Sequence, residues 1–537
     1  MAATGPPVKT DPPAQSGLGP MAGLDTGPAH GYTAAVLRVL LILAAALALH
    51  AGDSANPLDQ AEVVLQVRDG NWVDREATRF AAAYGGDLQM VRGELARALY
   101  CSNSFGGIDL TRPALFAWRA GNAPLLAVVP LSDRTQFLES FGAVASSEPP
   151  LVRTGERDGT VIYTQNQPGG LWEYRLLVAA NTAYIARSNE ECRRLANAVG
   201  SPVADPFAPP LELTLRRGGL DGRHLPGREW LATLPDLPIG AGELATIPGL
   251  LSGAWRDLAA QLGTVTVTAR SGAQGDLQVL VRTTARSDTA LAGWIGQQRP
   301  GTERLAGQLR TPATSLLITG HLAFQGQLER WAFDQADAFK ATARSRWSDG
   351  ADTSFRGLCT LVERAGGWAL AIERSAGGMP QYWVAEHPRA VEVAQAAAEV
   401  TSALVGQPAV PQRVGEGTAF TLGQPGGALI YVAGERHVAR IDDGGGKTGL
   451  AEAGGQLLKR LDAPGSLDAE ASLVSLWIDL AQMWRVPPPA EQEHCPPLIL
   501  AGILRPTGPA TLEFTCTVPI AQVAQALGRL HKTLRRE

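Results

Sequence analysis

The stretch Gly444-Gly445-Gly446-Lys447-Thr448 is the chain's nearest approach to a phosphate-cradling loop. A Walker loop needs a further glycine five residues ahead of its Gly-Lys pair, so that backbone N–H groups can wrap the phosphates. That position is Ile441, and the neighbouring Asp442 and Asp443 would repel a phosphate. The segment reads as a surface loop. His494, Cys495, Cys516 and His531 are the residue types of a zinc site, but their spacing fits none of the common ligand patterns. Asp349 and Asp352 make a polar turn with too few alternating carboxylates for calcium. The chain carries no G-x-S-x-G elbow, no H-E-x-x-H and no C-x-x-C. A Ser/His/Asp triad assembled in space stays open among eight histidines and many serines. Catalytic residues are therefore unassigned, no metal or cofactor is expected, and the motifs lean away from an enzyme.

Twelve tryptophans exceed what core filling obviously requires. Trp118, Trp172, Trp294, Trp368 and Trp383 fall in or beside expected strands and helices, which favours packing over an aromatic ligand groove. The five cysteines, Cys101, Cys192, Cys359, Cys495 and Cys516, are too few and too spread for a disulfide scaffold. A hairpin about Thr507-Gly508 would set Cys516 opposite Ile499 and leave Cys495 roughly 13 Å away at strand rise. A disulfide spans no more than about 7 Å between Cα atoms, so that bridge is not expected. Cys101–Cys192 stays open, and buried free thiols are the default elsewhere.

These sparse chemical groups need elements to position them, and the composition supplies a folded protein. The 537 residues are 45% hydrophobic and 18% charged, with a net charge of −5. Two to four domains are expected at this length. The mild negative charge argues against a general nucleic-acid binder. Lysine is confined to Lys9, Lys340, Lys447, Lys459 and Lys532, so arginine carries the positive charge.

Two stretches repeat one another. Gly159–Arg187 and Gly417–Arg440 both begin Gly-Thr, both contain a Gln-Pro-Gly-Gly turn (Gln167 to Gly170, Gln424 to Gly427) and both end Ala-Arg. Each closing segment reads as a hairpin, with Asn181 aligned to Gly434 as residue types that tolerate φ > 0. Pro124–Val129 falls on Pro380–Ala385, and Val63–Leu65 on Leu317–Thr319, at offsets of 254 to 257 residues. A near-constant offset is the mark of repetition. The expected fold is α+β, internally duplicated, with antiparallel sheets and helices mainly on one face. The expected halves are 58–310 (modules 58–203 and 205–310) and 313–537 (modules 313–408 and 410–537). Strand–helix and hairpin–helix units recur in each, with Pro-containing breaks between them.

Residues 1–33 are rich in Pro, Gly and Ala and read as a disordered extension, with Met21 a second candidate start. The apolar run Val39–Leu49 within 34–51 fits a signal-peptide core and falls short of a bilayer span. It reads as a cleaved signal or an N-terminal membrane anchor, which places the protein in the periplasm or cell envelope. Gly107–Gly142 carries a Gly-Ile-Asp-Leu-Thr-Arg-Pro opening (Gly107 to Pro113) before a strand that ends Val129-Pro130. This segment resembles exported, uncharacterised bacterial proteins of planctomycete type. The resemblance implies export and carries no known activity or site. The resulting expectation is an exported, non-catalytic envelope protein that binds a protein, small-molecule or glycan partner. An exported hydrolase and a self-assembling envelope component are the alternatives.

Overall fold

The computed structural model describes residues 61–100, 102, 104–118, 126–141, 151–167, 170–199, 208–216, 260–272, 275–301, 304–321, 366–374, 380–424, 427–442, 450–462, 472–484, 486–487 and 497–534. The N-terminal extension, the apolar run 34–51, the glycine-lysine loop, Asp349, Asp352, His494, Cys101, Cys359 and Cys495 lie outside them.

The first ten strands are β1 Val63–Val67, β2 Ala114–Trp118, β3 Leu126–Pro130, β4 Leu151–Arg157, β5 Thr160–Gln167, β6 Gly170–Ala179, β7 Thr182–Ala186, β8 Leu211–Leu215, β9 Leu262–Ser271 and β10 Leu277–Ala285. The next ten are β11 Thr314–Gly320, β12 Trp368–Glu373, β13 Gln381–Glu386, β14 Val410–Val414, β15 Gly417–Gln424, β16 Gly427–Ala433, β17 His437–Asp442, β18 Val474–Asp479, β19 Ile499–Gly508 and β20 Thr511–Val518. Every pairing among them is antiparallel, and together they form one sheet. From one edge the order is β4-β5-β6-β7-β3-β2-β1-β8-β9-β10, and then β20-β19-β18-β11-β12-β13-β17-β16-β15-β14. The second ten strands thus follow the pairing order of the first ten in reverse across the sheet. The fold is α+β, and the sheet runs unbroken through each expected module boundary: β13 pairs with β17 across 408/410, and β10 with β20 across the two halves.

The helices are α1 Gly70–Tyr84, α2 Leu88–Tyr100, α3 Arg134–Ser140, α4 Asn189–Val199, α5 Ala290–Gln297, α6 Arg304–Leu309, α7 Ala390–Val405, α8 Leu450–Asp462, α9 Leu480–Met483 and α10 Ile520–Leu534. Side chains cap several of them. Asp133 accepts from Gln136 N, and Ser188 Oγ accepts from Glu191 N, while the Glu191 carboxylate takes the Arg187 N–H. At α5 the cap is Thr289, whose side chain accepts from Ala292 N.

Helices cover both faces, which corrects the one-face expectation. In the second half, α7 packs through Val393, Ala394 and Ala398 on Leu422, Leu429, Tyr431 and Val438. The alternate residues Ala419, Ile430, Val432, Ala439 and Ile441 take Leu457, Leu458 and Leu461 of α8 and Leu305 and Leu309 of α6. The first half does the same. The α3 ring Phe141 sits edge-on to Tyr163, and α4 packs Cys192 and Leu195 on Val128 and Tyr184 of the opposite face. Strands buried on both sides read as continuous apolar runs rather than alternations, and Ala428-Leu429-Ile430-Tyr431-Val432 is such a run. Although α6 lies within the expected first half, it packs on β11, β12 and α8.

At the centre one face stays polar. In β9, Val265 and Val267 are buried under Leu291, Ala292 and Ile295 of α5, while Thr264, Thr266 and Thr268 point the other way. Cross-strand partners continue that polar side: Thr264–Thr284–Thr511 and Thr266–Arg282–Glu513–Arg505. Arg282 and Glu513 form an ion pair at 3.0 Å.

Each Gln-Pro-Gly-Gly is a turn, as the sequence suggests: it ends one strand and closes a hairpin, with Gln167 paired to Gly170 and Gln424 to Gly427. Two turn details differ from the sequence reading. In the β6–β7 hairpin both turn residues are left-handed, Ala180 at φ 46° and Asn181 at φ 57°, as a two-residue turn requires. Gly434 is not left-handed. The corresponding ladder pairs Val178–Ala183 and Ala433–Val438 set Gly434 against Ala179 and Arg436 against Asn181. The β19–β20 hairpin turns at Pro509-Ala510, so Cys516 faces Gly502 rather than Ile499, because Thr507-Gly508 stays in the strand through a bulge.

Candidate functional site

Among the described residues, an imidazole lies between two carboxylates where β13, β17 and α8 meet. Glu386 ends β13 and pairs across the ladder with His437, the first residue of β17. Asp462 closes α8, whose buried Leu457, Leu458 and Leu461 hold its last turn against the sheet. His437 Nδ1 lies 3.2 Å from Asp462 Oδ1, and Nε2 lies 3.6 Å from Glu386 Oε1. The imidazole is 7% exposed, Glu386 28% and Asp462 56%, so the group opens toward solvent on the Asp462 side. The His437 contact holds the Glu386 carboxyl below the usual carboxylate range, against the opposing effect of burial. The Glu386 backbone is fixed on both sides: its N–H donates to Gly367 O at 2.8 Å, and Gly366 N donates to its carbonyl at 2.9 Å.

An imidazole between two carboxylates can hold and pass a proton, and it can pin a helix end to a sheet. Hydrolysis by a triad also needs a hydroxyl or thiol on the free imidazole nitrogen; here Nε2 faces a carboxylate. Neighbouring His387 is 3% exposed and accepts from Arg389 N at 2.9 Å. At the corresponding first-half position Pro130 pairs with Thr182, which is buried and takes a bond from Arg112. The charged trio therefore belongs to one half alone.

Of the residues singled out for zinc, the two that are described lie on different elements. Cys516 lies on β20 and His531 on α10, where its Nδ1 meets Tyr84 Oη at 3.2 Å. Among the described residues no group of three His, Cys, Asp or Glu side chains is arranged to hold a metal ion. Cys192 and Cys516 are free, buried thiols, and burial raises each to about 11, so both are protonated at neutral pH. Cys192 is thus not bridged to Cys101. Tyr382 is pushed up to about 12, by burial and then by the Glu373 carboxylate, which also takes bonds from Arg460 and Thr311. That network ties α8 to β12. Of the tryptophans, Trp294 packs partly buried on the α5 cluster, Trp368 lies over Gly320, and Trp383 is 47% exposed. No described helix is long and apolar enough to cross a membrane.

Sequence reasoning did not find the Glu386–His437–Asp462 group, because its members lie in three separate elements. The available signal was His437, a buried polar residue opening β17. Comparison with known proteins gives no match to any family model, to any curated protein or to any solved structure.

Proposed function

We propose that this chain is an exported, non-catalytic envelope protein whose sheet serves as a binding scaffold, and that it arose by duplication of one α+β half. The observation that carries the scaffold reading is the polar central face, where threonines and the Arg282–Glu513 pair lie in register across β9, β10, β20 and β19. A hydrogen-bonding sheet face suits a glycan or protein partner, whereas catalysis needs a concave site. The common pairing order of β1–β10 and β11–β20 supports duplication; superposing residues 58–310 on 313–537 tests it, and elements that fail to coincide in chain order would sink it.

Binding is tested by titrating the mature chain with envelope glycan fragments and with solubilised envelope proteins, followed by Thr266→Lys. Binding that survives the lysine unchanged removes the polar face from the reading. Export is tested by locating the mature chain in fractionated cells. An exported hydrolase is the second reading, in which His437, held by Asp462 at 3.2 Å, would act as a proton-transfer group beside Glu386 and not as part of a serine triad. Turnover of ester, peptide or glycoside substrates that His437→Gln abolishes would establish it and displace the first.

A further inference from the structure

We infer that the junction between β10 and β20 is a subunit-type interface: the second half is the protein partner of the first, and the two hold together without the chain that joins them. Both strands are the last of their half. They meet antiparallel from Leu277–Val518 to Thr284–Thr511 without a break in register. Two equivalent edges meeting antiparallel is the geometry of an isologous dimer contact. On one side of the junction Val281 meets Phe514, and α5 covers both; on the other Arg282 meets Glu513.

The helices cross over, as they do between exchanged subunits. From the first half, α5 reaches the second half's β19 and β20, with Ala510, Leu512 and Phe514 against its cluster. From the second half, α10 lies on the first half's α1. Gly528 of α10 approaches so closely that a Cβ there would sit 2.4 Å from the Tyr84 carbonyl oxygen. Tyr84 also stacks on His531 with ring centroids 6.2 Å apart. Hydrogen bonds, an apolar layer and interlocked helices thus bind the halves at several separate places, which is what an obligate interface has and a tethered pair of domains lacks.

The inference extends the duplication reading without depending on it, since halves of unlike ancestry joined this way would also stay together. The test inserts a site-specific protease sequence between Pro300 and Gly301, the first of which is exposed. After cleavage, the nicked full-length chain at about 1 µM is expected to elute as one species of the intact mass containing both fragments. Separation into two species, or precipitation of either fragment, overturns the inference. Gly528→Ala is expected to leave the uncut chain intact, because the tether supplies a high effective concentration, and to loosen the nicked complex at least tenfold. Should that variant fail to fold uncut, Glu513→Arg weakens the nicked complex and Arg282→Glu in the same chain restores it. Nicked variants that hold together as tightly as the parent count against the interface.

Discussion

Gly107, which opens the Gly-Ile-Asp-Leu-Thr-Arg-Pro motif, is tightly enclosed. It sits at φ 75°, and a Cβ would lie 2.3 Å from Phe137 N and 2.4 Å from Asp133 O, at the start of α3. Asp109 then caps Thr111, the Leu110 carbonyl takes the first two N–H groups of α1, and Arg112 reaches Asn181 O and Thr182. The motif is a clasp that fastens two helices and a hairpin. Gly107→Ala is expected to destabilise by more than about 2 kcal/mol, since both the backbone strain and the clash oppose it; a urea midpoint within error of the parent would refute the clasp. At the carboxylate–imidazole trio the sign follows from Glu386. Its folded carboxyl titrates below the unfolded value, so its contribution is fully present above about pH 4.3 and is lost as pH falls through the lower folded value. His437→Gln should therefore flatten the fall in stability below that pH, and an unchanged acid limb would show that His437 is not the cause. The motif's regularity was visible in the sequence, but its work as a clasp was not, because Phe137 and Asn181 are brought to it only by the fold. The trio was hidden for the same reason, with Asp462 25 residues beyond His437 and Glu386 further back still.

At the scale of elements, the strands were legible wherever local pattern and tertiary burial agreed. β9 alternates Thr and Val, and the sheet has a wet and a dry face there. β16 does not alternate, and the helix on its second face followed from that run without being anticipated. Turn chemistry gave the hairpins but not their registers, since a bulge at Pro506/Gly508 or one added turn residue moves every partner. The two edges of the described sheet carry devices against strand addition. β14 holds Pro411, which lacks an N–H, and β4 has a bulge between Arg153 and Gly155. Val410 and Val152 on those edges are 58% and 51% exposed, so the apolar material for edge-to-edge assembly is present and the backbone is what resists it. Pro411→Thr is accordingly expected to shift the chain toward higher oligomers in light scattering at high concentration. A monomeric Pro411→Thr protein would mean that something other than the proline protects that edge.

The described strands form a single sheet whose middle is the meeting of β10 and β20, and this decides how the molecule should unfold. Separate domains melt in separate steps, whereas a sheet continuous through β10 and β20 couples them. Phe514 belongs to the second half but packs in the cluster under α5 of the first, beside Val281. Phe514→Ala removes apolar contact worth on the order of 2 kcal/mol at a half-buried site. If the halves open together, amide exchange should quicken by roughly 30-fold in β9 and β10 as well as in β18 to β20. Exchange that quickens only in β18 to β20 would mean that the ladder between β10 and β20 transmits no stability and that each half stands alone. The choice of Phe514 makes the outcome sharp, because the residue is 229 positions beyond the end of β10 and reaches it only through the junction.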